Sequence, residues 1–132
     1  MVANPYAAYQ NNAVTTANPQ ELTLMLYDGA LKFMRLAKLA IDQGNPDLKN
    51  INIQKTQAIF QELRLTLNKD IAISANLDSL YDYMWRRLVD ANVKNDTTIL
   101  DEVLDFTTEL RDTWKEAMKL AKQSLDRLMK SS

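Results

Sequence analysis

The side chains available for acid–base or metal chemistry form an incomplete set. The chain has seventeen Asp and Glu and sixteen Lys and Arg residues, but no histidine and no cysteine. The commonest general base, the commonest metal ligand and every histidine-activated nucleophile are therefore absent. The Glu-x-x-His pairs of a di-iron helical bundle cannot form either. Carboxylates scattered along helices are usually solvated, so the sequence predicts a protein that is not an enzyme, with no metal and no cofactor.

Composition and charge argue against several other classes. A length of 132 residues predicts one domain, and two Gly and three Pro favour helices over a sheet. A net charge of -1 gives no electrostatic footprint for nucleic acid or an anionic membrane. The chain lacks an apolar window of about 18 residues and an N-terminal secretory signal. We therefore expect a cytoplasmic protein with no nucleic-acid partner and no membrane insertion.

Two tyrosines near the N-terminus have the right types and spacing to bind a surface. Tyr6 and Tyr9 interrupt a polar, weakly structured segment, residues 1–17. Asn4 could cap a turn that starts at Pro5, which would place both rings on one face. Two interpretations remain open with about equal weight: a frayed terminus, or a detachable cap segment that docks both tyrosines on an apolar surface.

The first predicted helix, 19–41, is apolar over most of its circumference. Asn18 is expected to cap its start and Gly44 to follow its end, near Gln43. Gly29, inside the helix, predicts close approach of a neighbouring helix. A helix that is polar on one narrow stripe only is buried on several sides, so we expect this one at the centre of a bundle. The stripe consists of Glu21, Asp28, Lys32 and Arg35.

Three further helices follow from start signals and from the spacing of apolar residues. Helix 2 starts with Asn45 as the cap and Pro46 in the first position, and helix 3 starts between 71 and 76 with Asp70 or Ser74 as its cap. Helix 4 runs from about 97 to 129 with Asn95 or Asp96 as its cap. The predicted seam of helix 2 is Leu48, Ile51, Ile59, Phe60, Leu63 and Leu67, with Lys49, Asn52, Gln54, Gln57, Gln61 and Glu62 mostly outward. The predicted seam of helix 3 is Leu77, Leu80, Tyr81, Met84, Leu88 and Ala91, and that of helix 4 is Leu100, Val103, Phe106, Leu110, Trp114, Ala117, Ala121, Leu125 and Leu128.

Short breaks between long helices predict an all-α protein, an antiparallel up-down four-helix bundle over 18–132 that is preceded by the cap segment. Helix 1 carries more apolar residues than one seam requires. An apolar excess on a bundle typically marks a groove for an amphipathic segment, so the sequence predicts a helical binding module. The alternative is a structural or adaptor module that oligomerises through helix 1. The surplus residues are Leu24, Tyr27, Leu31, Met34 and Leu36.

Two stretches carry a family resemblance: ANPQELTLMLYDGALKF, residues 17–33, and LYDYMWRRLVDANVKND, residues 80–96. Together with NPYAAYQ at 4–10 and LRDTWK at 110–115, they resemble the flagellar export chaperone FliS family. The paired Leu-Tyr-Asp stretches are the most specific feature, and the resemblance extends in the right order over nearly the whole chain.

The resemblance implies a chaperone that binds the disordered C-terminal segment of flagellin, prevents premature polymerisation and delivers it to the flagellar export gate. It further implies that Tyr6 and Tyr9 belong to an N-terminal segment that covers part of the flagellin site and then contacts the export gate. Other flagellar regulators are further partners to expect. The candidate residues of the flagellin groove are Leu24, Tyr27, Leu31, Met34, Tyr83 and Met84.

Overall fold

A computed structural model describes residues 18–130, which contain four α-helices and no strand. The predicted all-α class is confirmed over this range, whereas the predicted cap segment with Tyr6 and Tyr9 lies outside it. No helix in 18–130 is long and apolar enough to cross a membrane. The helices are α1 (Pro19–Asp42), α2 (Pro46–Leu65), α3 (Ile73–Lys94) and α4 (Thr97–Lys130).

The starts of α1 and α2 use the predicted caps. Asn18 Oδ1 accepts a hydrogen bond from the Glu21 backbone N–H at 2.9 Å. Asn45 Oδ1 accepts one from the Leu48 N–H at 3.1 Å. Gly44 has a φ of +66° between these helices, a left-handed conformation that suits glycine. Each cap satisfies a backbone donor that the helix itself leaves without an acceptor.

The cap of α3 differs from the two predicted candidates, whereas the cap of α4 is one of its two predicted candidates. Neither Asp70 nor Ser74 caps α3, because the cap position is Ala72 and it forms no side-chain bond. The Ser74 hydroxyl instead donates to the Asn68 carbonyl at 2.5 Å and closes the preceding turn. At the start of α4, the Asp96 carboxylate accepts from the Thr98 N–H at 2.9 Å, so Asp96 is the cap.

The four helices form an antiparallel ring in which each packs against its neighbours in sequence, and α4 closes the ring against α1. Trp114 bonds to Gln20 at the start of α1, whereas Asp101 bonds to Lys38 near the end of α1, so these two helices run in opposite directions. Helix α1 is therefore one corner of the bundle and α3 is diagonal to it. The prediction that the other helices surround α1 is wrong, although α1 contributes many buried residues to the core.

The buried face of α2 also differs from the predicted seam. Leu48 and Ile51 are nearly half exposed, whereas Lys49 and Asn52 are buried. Lys49 Nζ donates to the Asn92 carbonyl at 2.9 Å and to Asn95 Oδ1 at 2.6 Å. The helix can bury these polar side chains because each has a partner inside the fold. With this rotation, Ile53, Thr56, Ile59, Phe60 and Leu63 form the rest of the buried face.

The second half of α4 extends beyond the bundle. At 34 residues α4 is about 51 Å long, whereas the 24 residues of α1 span about 36 Å. Burial on α4 ends at Thr107, with Leu110 and Trp114 partly buried. Beyond this point the predicted seam is therefore wrong as a core assignment, because no other helix in the described part of the chain covers it. Phe106 and the later seam residues Ala117, Ala121, Leu125 and Leu128 are exposed.

Candidate functional site

Four of the six predicted groove residues lie in the core. Tyr27, Leu31, Met34 and Met84 are each no more than 3% exposed. Leu24 is partly buried, and Tyr83 is 38% exposed. The surplus on α1 is thus covered largely by its own bundle, and these six residues do not form one open wall. That they contact a partner stays a prediction, and so does the role of Tyr6 and Tyr9.

A buried pair of hydroxyls joins the two Leu-Tyr-Asp stretches across the bundle diagonal. Tyr27 Oη and Tyr81 Oη lie 2.5 Å apart, and either can be the donor. Burial raises the pKa of both phenols, and for Tyr81 the nearby Tyr27 raises the pKa further. Both hydroxyls therefore stay protonated and act structurally. The sequence showed the two similar stretches but gave no sign that their tyrosines would meet.

An open apolar groove lies between α3 and α4, with a volume of about 480 Å³. On its α3 side are Ile73, Leu77 and Leu80, and on its α4 side are Phe106, Leu110 and Trp114. We call this set the α3–α4 groove. Ile73 is 58% and Phe106 37% exposed, so both walls of the groove present a large apolar side chain to solvent.

A second cavity of about 300 Å³ continues the α3–α4 groove toward the start of α1. Ile73, Leu77 and Trp114 border both cavities. The indole Nε1 of Trp114 donates to the Gln20 carbonyl at 2.9 Å and ties the groove to the first turn of α1. Helix α1 therefore begins beside the groove.

A charged cluster borders the other end of the α3–α4 groove. Tyr83 Oη donates to Glu102 Oε1 at 2.5 Å, and Arg87 Nη2 donates to Glu102 Oε2 at 3.2 Å. The bonds from Tyr83 and then Arg87 hold the pKa of the Glu102 carboxyl below its usual range. The Tyr83 ring meets Phe106 edge-on, with 6.4 Å between ring centroids. Tyr83 thus contacts the exposed aromatic wall of the groove, and Tyr27 is the predicted site residue that lines the groove itself.

The sequence interpretation missed Ile73 and Phe106 as exposed groove residues. Ile73 lies in a stretch where no seam was assigned, and Phe106 was placed in the core of α4. The available signal for the groove was Ile73 itself, an apolar residue one helical turn before Leu77, the first predicted seam residue of α3. Within residues 18–130, no three acidic side chains lie close enough to hold a metal ion.

The chain matches the family described as flagellar protein FliS over residues 2–121. The chain belongs to the FliS family of flagellar secretion chaperones. It is 55% identical over 118 residues to the flagellar secretion chaperone FliS of Bacillus subtilis, and these residues cover 89% of each chain. It is 34% identical over 110 residues to FliS of Escherichia coli, 81% of each chain. It is 38% identical over 103 residues to FliSB of Pseudomonas aeruginosa, 76% of this chain and 82% of the relative. The FliS match thus includes the whole α3–α4 groove.

Proposed function

We propose that this protein is a cytoplasmic chaperone that binds the disordered C-terminal segment of flagellin, prevents its premature polymerisation and delivers it to the flagellar export gate. The observation that carries the proposal is the open α3–α4 groove on a FliS-family bundle. A groove between two helices accepts an amphipathic helix along its length. The exposed side chains of Ile73 and Phe106 supply apolar contacts for such a segment.

Among the predicted groove residues, Leu24 and Tyr83 are the ones that a client can reach without opening the core. Tyr27 lines both cavities and would support the groove from below, whereas Leu31, Met34 and Met84 lie in the core. Ordering a disordered segment costs several kcal/mol, so the client must cover a large apolar area. The two adjoining cavities, about 480 and 300 Å³, would form part of that contact area.

In this proposal, the segment 1–17 competes with flagellin. It precedes Asn18, and the first turn of α1 borders the groove through Gln20 and Trp114. Tyr6 and Tyr9 would occupy the groove until the client displaces them, and would then contact the export gate. A cap of this kind lowers the apparent affinity for the client by the fraction of chains left open.

Isothermal titration with a peptide of the flagellin C-terminal segment tests the proposal. We expect binding with a negative heat-capacity change, because apolar area is buried. Phe106→Ser should weaken binding by about tenfold or more, since a large apolar contact is lost. Val93→Ser is the matched control, because Val93 is 76% exposed and does not line the groove. An absence of binding up to about 100 µM peptide would refute the proposal.

The alternative, a module that oligomerises through α1, has little surface to use. Leu31 and Met34 are buried within the same chain. Leu36 is 40% and Leu39 50% exposed, and they are the large apolar side chains that α1 leaves most open. Light scattering of the protein alone separates the two functions, because a stable dimer that ignores the flagellin peptide would favour the alternative.

A further inference from the structure

The part of α4 beyond Trp114 is a basic, amphipathic helix that the rest of the bundle leaves exposed. We call residues 115–130 the α4 overhang. Every side chain from 119 to 130 is exposed, although the helix continues without a break to Lys130. No other helix within 18–130 therefore covers it.

An apolar stripe runs along the α4 overhang in line with the bundle core. Trp114, Met118, Ala121 and Leu125 follow one another at spacings of four, three and four residues. Alternation of four and three is the pattern of a helix seam that packs against another helix. Leu125 is 56% exposed, so the stripe presents an apolar face to solvent. The stripe also leads directly into the α3–α4 groove, whose wall includes Trp114.

The two sides of this stripe differ in charge. At about 100° per residue, Lys115, Lys119 and Lys122 all fall on one side, with Asp126 as the single acidic residue among them. The opposite side carries the small residues Thr113, Ala117 and Ser124 together with Leu120 and Leu128. One side is therefore small or apolar, and the other attracts negative charge. The chain as a whole has a net charge of -1, so this basic side is a local feature.

We propose that the α4 overhang binds a partner protein through an amphipathic helix whose apolar face is flanked by acidic side chains. The apolar stripe supplies the contact area, and the three lysines select the partner by charge. The three lysines are not part of the lining of the groove proposed for flagellin, so the charge recognition proposed here is distinct from client binding in that groove.

Other occupants fit the charges less well. In a second copy of α4 paired antiparallel, the side with Lys115 and Lys122 would face itself, and like charges repel. The segment 1–17 contains no Asp or Glu, so it cannot use the lysines. A flat anionic bilayer could use them, but the net charge of -1 and the presence of Asp126 among the lysines disfavour attachment to it. A protein helix matches both the charges and the apolar spacing of the stripe.

The test uses the full chain and two fluorescently labelled helical peptides of about three heptads. Both peptides have Leu at the seam positions a and d of each heptad. The Glu peptide has Glu at the flanking positions e and g, and the Lys peptide has Lys there. Like flanking charges keep each peptide from pairing with itself. Fluorescence anisotropy at low salt should show the Glu peptide binding at least about tenfold more tightly than the Lys peptide. The variant Lys119→Glu/Lys122→Glu should reverse that preference. Leu125→Ser should weaken binding of both peptides.

The matched control is Lys32→Glu/Lys69→Glu, which changes the net charge equally on exposed residues away from α4 and should keep the preference for the Glu peptide. Three results would overturn the proposal: equal binding of the two peptides, no binding up to about 100 µM, or a preference that the lysine variant does not change. A lysine-dependent attachment to phosphatidylglycerol vesicles without peptide binding would assign the surface to a membrane instead. A dimer that excludes both peptides would assign it to a second copy. Titration with the flagellin peptide should be unaffected by Lys119→Glu/Lys122→Glu, so this proposal can fail independently of the proposed function.

Discussion

The hydroxyls of Tyr27 and Tyr81 depend on each other, because each is almost fully buried and the other is its hydrogen-bond partner. A buried polar group without a partner costs about 1–3 kcal/mol, whereas the net gain from a made bond is about 1 kcal/mol. Removing one hydroxyl should therefore lower the free energy of unfolding more than removing both. The pair acts as a specificity contact that fixes the register of α1 against α3 across the core.

For Tyr81→Phe we expect a loss of about 1–3 kcal/mol in the free energy of unfolding, measured by urea denaturation. The double variant Tyr27→Phe/Tyr81→Phe should recover most of that loss, since no buried hydroxyl is left without a partner. Equal losses in the single and double variants would show that packing of the rings, rather than the bond, decides the effect.

The Glu102 carboxylate should make stability depend on acid pH. Its folded pKa lies below the ordinary value because Tyr83 and then Arg87 bond to the charged form. A depressed folded pKa contributes stability that is present above the unfolded pKa and is lost as the pH falls through the folded pKa. Glu102→Gln should therefore be less stable than the parent near neutral pH, with the gap closing as the pH falls below about 4.5. A gap that stays constant with pH in thermal melts would contradict this.

At the scale of helices, the sequence signals were strongest where a local rule decides the outcome. The caps Asn18 and Asn45 and the left-handed Gly44 were predictable because each satisfies a backbone requirement nearby. The buried face of α2 was not, because Lys49 finds its partners in α3 and in the turn after it. Burial of a lysine depends on residues more than forty positions away, which no periodicity shows.

Helix α4 shows a second limit, since its apolar spacing continues without regard to where its neighbours end. If the overhang contributes no core, removing residues 119–132 should change the free energy of unfolding of the bundle by less than about 0.5 kcal/mol. The same truncation should abolish binding of the Glu-flanked peptide. Urea denaturation and anisotropy on one preparation measure both. A large loss of stability would show that the overhang packs on the bundle in solution.

At the scale of the whole molecule, the four-helix architecture followed from composition and short breaks, but the position of the open groove did not. Apolar residues on α1 outnumbered a single seam, and they suggested a groove wall there. In the folded chain, Leu31 and Met34 face the core. The groove lies instead between α3 and α4, where Ile73 and Phe106 are exposed, and its position depends on how these two helices pack, which residue spacing does not show.

The proposed competition between the segment 1–17 and the client predicts how the intact chain responds to truncation. If the segment occupies the groove in most chains, deleting 1–17 should tighten binding of the flagellin peptide in proportion to the closed fraction. Trp114 borders both cavities, so its fluorescence should change on deletion and again on peptide binding. Trp85, the other tryptophan, does not line the groove, and a Trp85→Phe background isolates the signal. Replacing Tyr6 and Tyr9 together by Ser in the intact chain should reproduce the tighter binding, because the tyrosines are the apolar contacts of the segment. Unchanged affinity in both variants would refute the cap while leaving the groove itself to be judged by Phe106→Ser.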